Sequence, residues 1–563
     1  MCKQLVPVLC SLASFVTVSS VALAGNYYID DNVDWSDLSP QPTSVDVIYV
    51  YDDGELTIDV NNAECAALYI GYESGSYTGD GTVEFKKNSI LTVYSVDGVT
   101  VGTSSYDGEI DMDDGGTLVT SSITVLSSDS ELESGKGTVM LTGNNVLPAE
   151  FNKYYHLVIS AGTTELSGDI GIKGDLTILG ILDVSSANHE IKIKGDWINS
   201  GTFVQRNGAV IFAGKDEQTV SGTNATIFHA LELDKTQKKK NNKNNKKSKG
   251  VVLSSGISVL DKFVLTKGVL YTDTTNYITL KPKATTLGGS DGSHVNGRIK
   301  IEIDPDTVRT IVINTGKNGN HKKAVLNTQS TDATEFYVEY FDQPHLNSNS
   351  TGSGLTHVCQ MQYWELERIT GTAVADLTLF WSNNGCGPMD IMPALEVARY
   401  DSTLWSAVGA NSISGTPQMG SVTSDTLTSF GCFTFGCNHG SLKTSGGYDN
   451  FSSNEDAEEP EESPLTLIEI EQNTKVPVYD LDMIILPNPS QGKVNVTLNG
   501  DMGKEVLIVV NDMLGRIHYS KVVLLENDTF EFAIDPSEKL TPGVYLVVGS
   551  SENRLYKRKI VIQ

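Results

Sequence analysis

Gly137-Thr138-Val139-Met140-Leu141-Thr142-Gly143 and Gly208-Ala209-Val210-Ile211-Phe212-Ala213-Gly214 follow one plan: an alternating apolar strand closed at both ends by glycine. The two lie 71 residues apart. Working outward, Tyr154-Tyr155-His156-Leu157-Val158-Ile159 resembles Phe228-His229-Ala230-Leu231-Glu232-Leu233 at an offset of 74. Leu166-Ser167 falls on Leu253-Ser254, Leu176 on Phe263, and Ile191-Lys192-Ile193 on Ile278-Thr279-Leu280, all at an offset of 87. One insert, Lys235 to Lys249, accounts for the jump. With it set aside, a unit of about 73 residues, itself made of several strand-turn coils, occurs twice. Period-two alternation between turn residues predicts short strands, and repeats that hide their apolar faces against neighbours build a solenoid. The reading for residues 25–295 is therefore a β-solenoid, with two successive β-sandwiches as the alternative.

The insert has eight lysines among fifteen residues and no apolar side chain. It has nothing to bury, so it reads as a solvated loop. The functional alternative is a basic patch for an anionic partner such as surface polysaccharide.

Residues 296–437 change character. Longer strands with aromatic residues appear, as in Phe336-Tyr337-Val338-Glu339-Tyr340-Phe341 and Leu377-Thr378-Leu379-Phe380-Trp381. Trp364, Trp381 and Trp405 lie close together in sequence, as a core-forming β-sandwich requires. Four cysteines, Cys359, Cys386, Cys432 and Cys437, fall in this region, where one or two disulfides are expected, with Cys65 left over; three pairings are open, and a metal site is the rival reading. From 438 to 480 the glutamates around Pro460 and Pro464 read as an acidic linker.

The 563 residues carry a formal charge of −29, with 41 Lys+Arg against 70 Asp+Glu. Such a chain repels nucleic acid and anionic lipid. With 39% hydrophobic residues it has enough apolar material for real cores. Met1-Cys2-Lys3, the apolar run Leu5 to Val21 and the small-x-small motif Ala22-Leu23-Ala24 before Gly25 are read as a signal peptide over 1–24. No later stretch approaches 18 consecutive apolar residues, so the mature chain is expected to lack a membrane span.

The last segment, 481–563, alternates regularly through some seven strands. It contains Pro487-Asn488-Pro489 followed by Gly492, a turn at Asp512-x-x-Gly515-Arg516, Gly543-x-Tyr545, and Lys559 ahead of a final apolar strand. In order and spacing these features resemble the type A C-terminal sorting domain of the type IX secretion system of the Bacteroidetes. The resemblance implies an Ig-like sandwich, crossing of the inner membrane on the signal peptide, and recognition of this domain by the secretion machinery at the outer membrane. It implies a secreted or surface-attached protein. The upstream region is also similar to the β-rich repeats of such cargo, which implies shape and location but no chemistry.

Catalytic motifs are nearly absent, so neither a catalytic nor a cofactor-binding residue is assigned. Gly288-Gly289-Ser290-Asp291-Gly292 has the letters of a nucleophile elbow with His294 nearby, but a strand follows where that motif needs a helix, so it reads as a turn. His156 and His229 read as packed side chains beside core strands. Asp30, Asp31, Asp34 and Asp37, and Asp111, Asp113 and Asp114, offer hard oxygen ligands suited to Ca²⁺, without the EF-hand spacing. The expectation is thus an all-β exported structural or adhesin-like protein. The alternative is a carbohydrate-binding or polysaccharide-lyase-like protein using a groove on the solenoid.

Overall fold

A computed structural model describes residues 24–235, 250–352, 354–382, 386, 395–416 and 418–438. In the C-terminal segment it describes 483–486, 488, 490, 494–499, 505–512, 517–524, 529–534, 542–551 and 554–562. The chain divides into two compact units, Met1–Ser452 and Ser453–Gln563.

The first unit begins as a three-faced β-solenoid. One coil runs through the strands Val47–Val50, Gly54–Ile58 and Ala63–Cys65, one on each face. Each pairs in parallel with the equivalent strand of the next coil, Val47 beside Ala67, Gly54 beside Gly81 and Ala63 beside Leu91. Parallel neighbours need a long connection. Here that connection is the passage through the other two faces, so no crossover helix is needed.

The alternation seen in the sequence now has a direction. Leu91, Leu118, Val139, Leu157, Leu176, Trp197, Val220 and Leu253 stand directly beside one another down one face. All eight point inward and are buried. Each such side chain contributes about 1.5–3 kcal/mol by leaving water. The odd residues between them point out. On another face Tyr28, Tyr49 and Tyr69 form an outward ladder, with ring centroids 5.0 and 5.1 Å apart and nearly parallel planes.

The stacking repeat is the single coil, several of which make up the 73-residue unit. Thr117 stands beside Thr138 and Leu157 beside Leu176, so these turns take 21 and 19 residues. The matching strands Thr138–Leu141 and Ala209–Phe212 lie in different sheets. Both strands alternate the same way, with a buried apolar side chain at every second position. Two strands on different faces therefore look alike in sequence. One corner is pinned by glycine. A Cβ on Gly180 would sit 2.7 Å from the Gly162 carbonyl oxygen, and one on Gly201 2.1 Å from that of Gly180. The backbone of successive coils meets there without room for a side chain.

Past residue 295 the sheets continue while their pairing reverses. Val295 pairs in parallel with Thr315, and the strand Thr307–Lys317 then pairs antiparallel with Asn320–Ser330. On the opposite sheet Ile299–Ile303 pairs in parallel with Ile278–Leu280 and antiparallel with Thr334–Phe341. The two resulting antiparallel layers enclose Trp364 and Trp381, and their core is continuous with that of the solenoid. Trp405 sits in a separate small cluster with Leu355, Val358 and Ala398. Of the three open cysteine pairings, the one bridge formed joins Cys359 to Cys386, with Cα atoms 5.9 Å apart. Cys432 and Cys65 are free thiols, Cys65 buried in the solenoid core.

The Lys/Asn insert needs one correction. Lys235, its first residue, is not solvated: it is 1% exposed. Its ammonium donates to the carbonyls of Ala213 at 3.0 Å and Asp216 at 2.7 Å, and to Gln218 Oε1. Three acceptors inside the coil outcompete water for this one lysine. Residues 236–249 lie outside the described residues.

Candidate functional site in the C-terminal unit

The strands Met483–Leu486, Val494–Asn499 and Thr529–Ile534 form one antiparallel sheet. Ile517–Leu524, Glu505–Asp512, Gly543–Ser551 and Arg554–Ile562 form another. Val494, Val496, Ile508, Val510, Val547 and Ile560 are fully buried, as the alternation in these strands requires.

The motif residues converge on the last strand. Asn488 Nδ2 donates to the Lys559 carbonyl at 2.8 Å, and Asn488 Oδ1 accepts the Val561 N–H at 2.9 Å. Ser490 N–H donates to the Val561 carbonyl at 2.8 Å, which makes a parallel bridge opposite Ile562. A carboxamide suits this place because it offers one donor and one acceptor, matching alternate groups of a strand edge. Gly543 pairs with Ile562 and Tyr545 with Ile560, so the Gly-x-Tyr element and the terminal apolar run are neighbours in one sheet. Tyr545 is buried, its ring edge-on to His518 at 5.5 Å. The side chains of Arg558 and Lys559 are exposed. Pro487, Pro489, Gly492 and Gly515 lie outside the described residues. Ser490 was not singled out in the sequence, since its contribution is a backbone N–H.

The other sequence candidates lie in the first unit. Ala22 is outside the described residues; Ala24 is exposed, and the Gly25 N–H donates to Asp46 Oδ1 at 2.6 Å. Asp111, Asp113 and Glu133 bring carboxylate oxygens within 4.8 Å of one another, Glu133 arriving from the next coil beside Asp111. Asp114 turns instead toward Lys86, 4.0 Å away. Among the described residues, Asp30, Asp31, Asp34 and Asp37 form no comparable group of three.

Gly288 ends the strand Thr285–Gly288, and Asp291-Gly292 form the turn, closed by an antiparallel bridge between Ser290 and Ser293. Buried His294 directs Nδ1 at the Ser290 carbonyl, 3.2 Å away, so the imidazole meets backbone at that nitrogen. His156 Nδ1 accepts the Asp175 N–H at 2.9 Å, while His229 Nδ1 is buried without a partner. A groove of about 320 Å³ is lined by Glu365, Glu367, Arg368, Phe430 and Gly431. Burial first, then the neighbouring Glu339 and Glu367, hold the Glu365 carboxyl above the usual range, with Arg298 acting the other way. This groove lies on the sandwich and not on the solenoid. Arg368 is already engaged, stacked on Phe430 at 5.1 Å and donating to the Ala373 carbonyl at 2.7 Å.

Residues 484–563 match the family described as the secretion system C-terminal sorting domain. The match covers the two sheets and the Asn488 clamp, and it supports a cargo protein of type IX secretion. It marks the chain for export to the cell surface or secretion through the outer membrane, and implies contact with the secretion machinery. No curated protein and no solved structure matches the chain. No helix among the described residues is long and apolar enough to cross a membrane.

Proposed function

We propose, with residues 484–563 as the sorting domain, that this chain is an exported structural, adhesin-like protein whose β-solenoid is displayed on the cell surface or released. In this reading residues 1–24 are a signal peptide removed at Ala22-Leu23-Ala24. Residues 25–295 and 296–437 are the displayed solenoid and sandwich, 438–480 an acidic spacer, and 481–563 the segment read by the export machinery. The observation that carries the reading is the clamped terminal strand, in which Asn488 and the final residues of the family match meet. The stacked coils supply a stiff body, because each inward ladder buries one apolar residue per turn. Deleting 484–563 tests it: the truncated protein is expected to accumulate in the periplasm, and its normal appearance outside the cell would overturn the sorting role.

A second reading, carbohydrate binding or cleavage, rests on the groove that brings Glu365 and Glu367 together with Arg368 and Phe430. A glycan array and a reducing-sugar assay on the exported protein separate the two. Silence in both removes the second reading.

A further inference from the structure

Asp46 is a buried carboxylate, 6% exposed, near the start of the first full coil. Its oxygens are fully directed. Oδ2 accepts the Thr43 N–H at 2.8 Å and the Thr43 hydroxyl at 2.7 Å, and Oδ1 accepts the Gly25 N–H at 2.6 Å. The Gly25 carbonyl in turn accepts the Val47 N–H at 3.0 Å, so residue 25 is gripped on both sides of its Cα. Among the described residues no lysine, arginine or histidine forms an ion pair with Asp46. A carboxylate held from water with only neutral donors lacks its most effective partner.

The missing cation is one covalent step away. The nitrogen that faces Asp46 is the one that the small-x-small motif marks for release. Hydrolysis of the Ala24–Gly25 bond by a signal peptidase consumes one water. The hydroxyl joins the Ala24 carbonyl carbon, the C–N bond breaks, and the Gly25 nitrogen leaves as an amine that is protonated at neutral pH. The separation is already that of a charge-assisted hydrogen bond. Gly25 also fits this place sterically, since a Cβ there would lie 3.1 Å from Asp46 Oδ1.

We infer that removal of the leader creates an N-terminal ammonium at Gly25 that forms an ion pair with buried Asp46 and locks the first coil of the solenoid. Maturation then does more than free the chain: it supplies the charge that completes the N-terminal end of the fold. Precursor and mature protein share every residue of this site and differ by one charge. The inference rests on the signal-peptide reading above.

The test separates the two. N-terminal sequencing of the exported full-length protein is expected to begin at Gly25; any other start overturns the processing reading and the ion pair with it. The α-amine is then acylated at pH 7 with N-hydroxysuccinimide acetate, in the exported protein and in its Asp46→Asn variant. The titratable neighbours of Asp46 are Tyr27 and Cys65, both raised chiefly by burial and then by Asp46, so neither ionises near pH 7. An opposite charge in contact moves a group by one unit or more, so the native amine is expected to react about tenfold more slowly than in the variant. A second protein starting at Ala24 keeps Asp46 and displaces the ammonium by one residue, which guards against unfolding in Asp46→Asn. It is expected to react at the fast rate. A Gly25 amine that reacts as fast as in either control, with the start confirmed, overturns the ion pair alone.

Discussion

Asn488 holds the terminal strand through both atoms of its carboxamide, donating to the Lys559 carbonyl at 2.8 Å and accepting from the Val561 N–H at 2.9 Å. The partners lie 71 and 73 residues away in sequence. Substituting Asn488→Ala removes both bonds. The loss expected is about 1–3 kcal/mol. It should be read as a lower denaturant midpoint for the C-terminal unit in the full chain, with less protein exported. Asn488→Asp retains the acceptor but loses the donor and sets a charge against the Lys559 carbonyl, so it should not rescue. Unchanged stability and export in both variants would count against the clamp.

The inward ladder makes a contrast within one strand. Leu176 is buried between Leu157 and Trp197, whereas Thr177 faces outward. Leu176→Ala should cost about 2–5 kcal/mol because the neighbouring coils cannot close the void. Thr177→Ala should stay within about 0.5 kcal/mol. Chemical denaturation of the two variants checks the assignment of faces.

Burial lowers the Lys235 ammonium to about 8 from its ordinary 10.5, against the pull of Asp216, Asp196 and Glu217. Between those two values the unfolded chain binds the extra proton, so this group's contribution to stability rises with pH from about 8 to 10.5. Below 8 its cost is fully present. Lys235→Met keeps the packed stem and removes the titration. The difference in unfolding free energy between wild type and variant should therefore change by on the order of 3 kcal/mol across that window. A difference that stays flat with pH would mean the ammonium is not buried.

The Cys359–Cys386 bridge spans a separation of 27 residues. Losing it should destabilise the sandwich by about 3 kcal/mol through the freed unfolded chain. Thiol titration of the processed protein, denatured without reductant, should find Cys65 and Cys432 reactive and Cys359 and Cys386 blocked. In the native state Cys432 should react slowly, since burial and Glu365 push its thiol up to about 11. Reaction at Cys359 or Cys386 would contradict this pairing.

Much of the fold was legible in the chain because strand alternation and glycine punctuation are local. Solenoid and sandwich character follow from such signals, whereas the sorting tail is legible through its resemblance to a known family. The period was not legible. Strands on different faces share one pattern, so the resemblance between 137–143 and 208–214 crosses from one sheet to another. Lys235 looked like the first residue of a solvated run, and only the three acceptors around it turned it inward.

By itself, then, the sequence determined the all-β class, the alternation that drives coil stacking, and the presence of Asn488 and Gly25 at marked positions. Only the tertiary structure decided what those two residues touch. Their partners are backbone groups or side chains 21 to 73 residues distant, brought within hydrogen-bonding reach by strand pairing that no local pattern encodes.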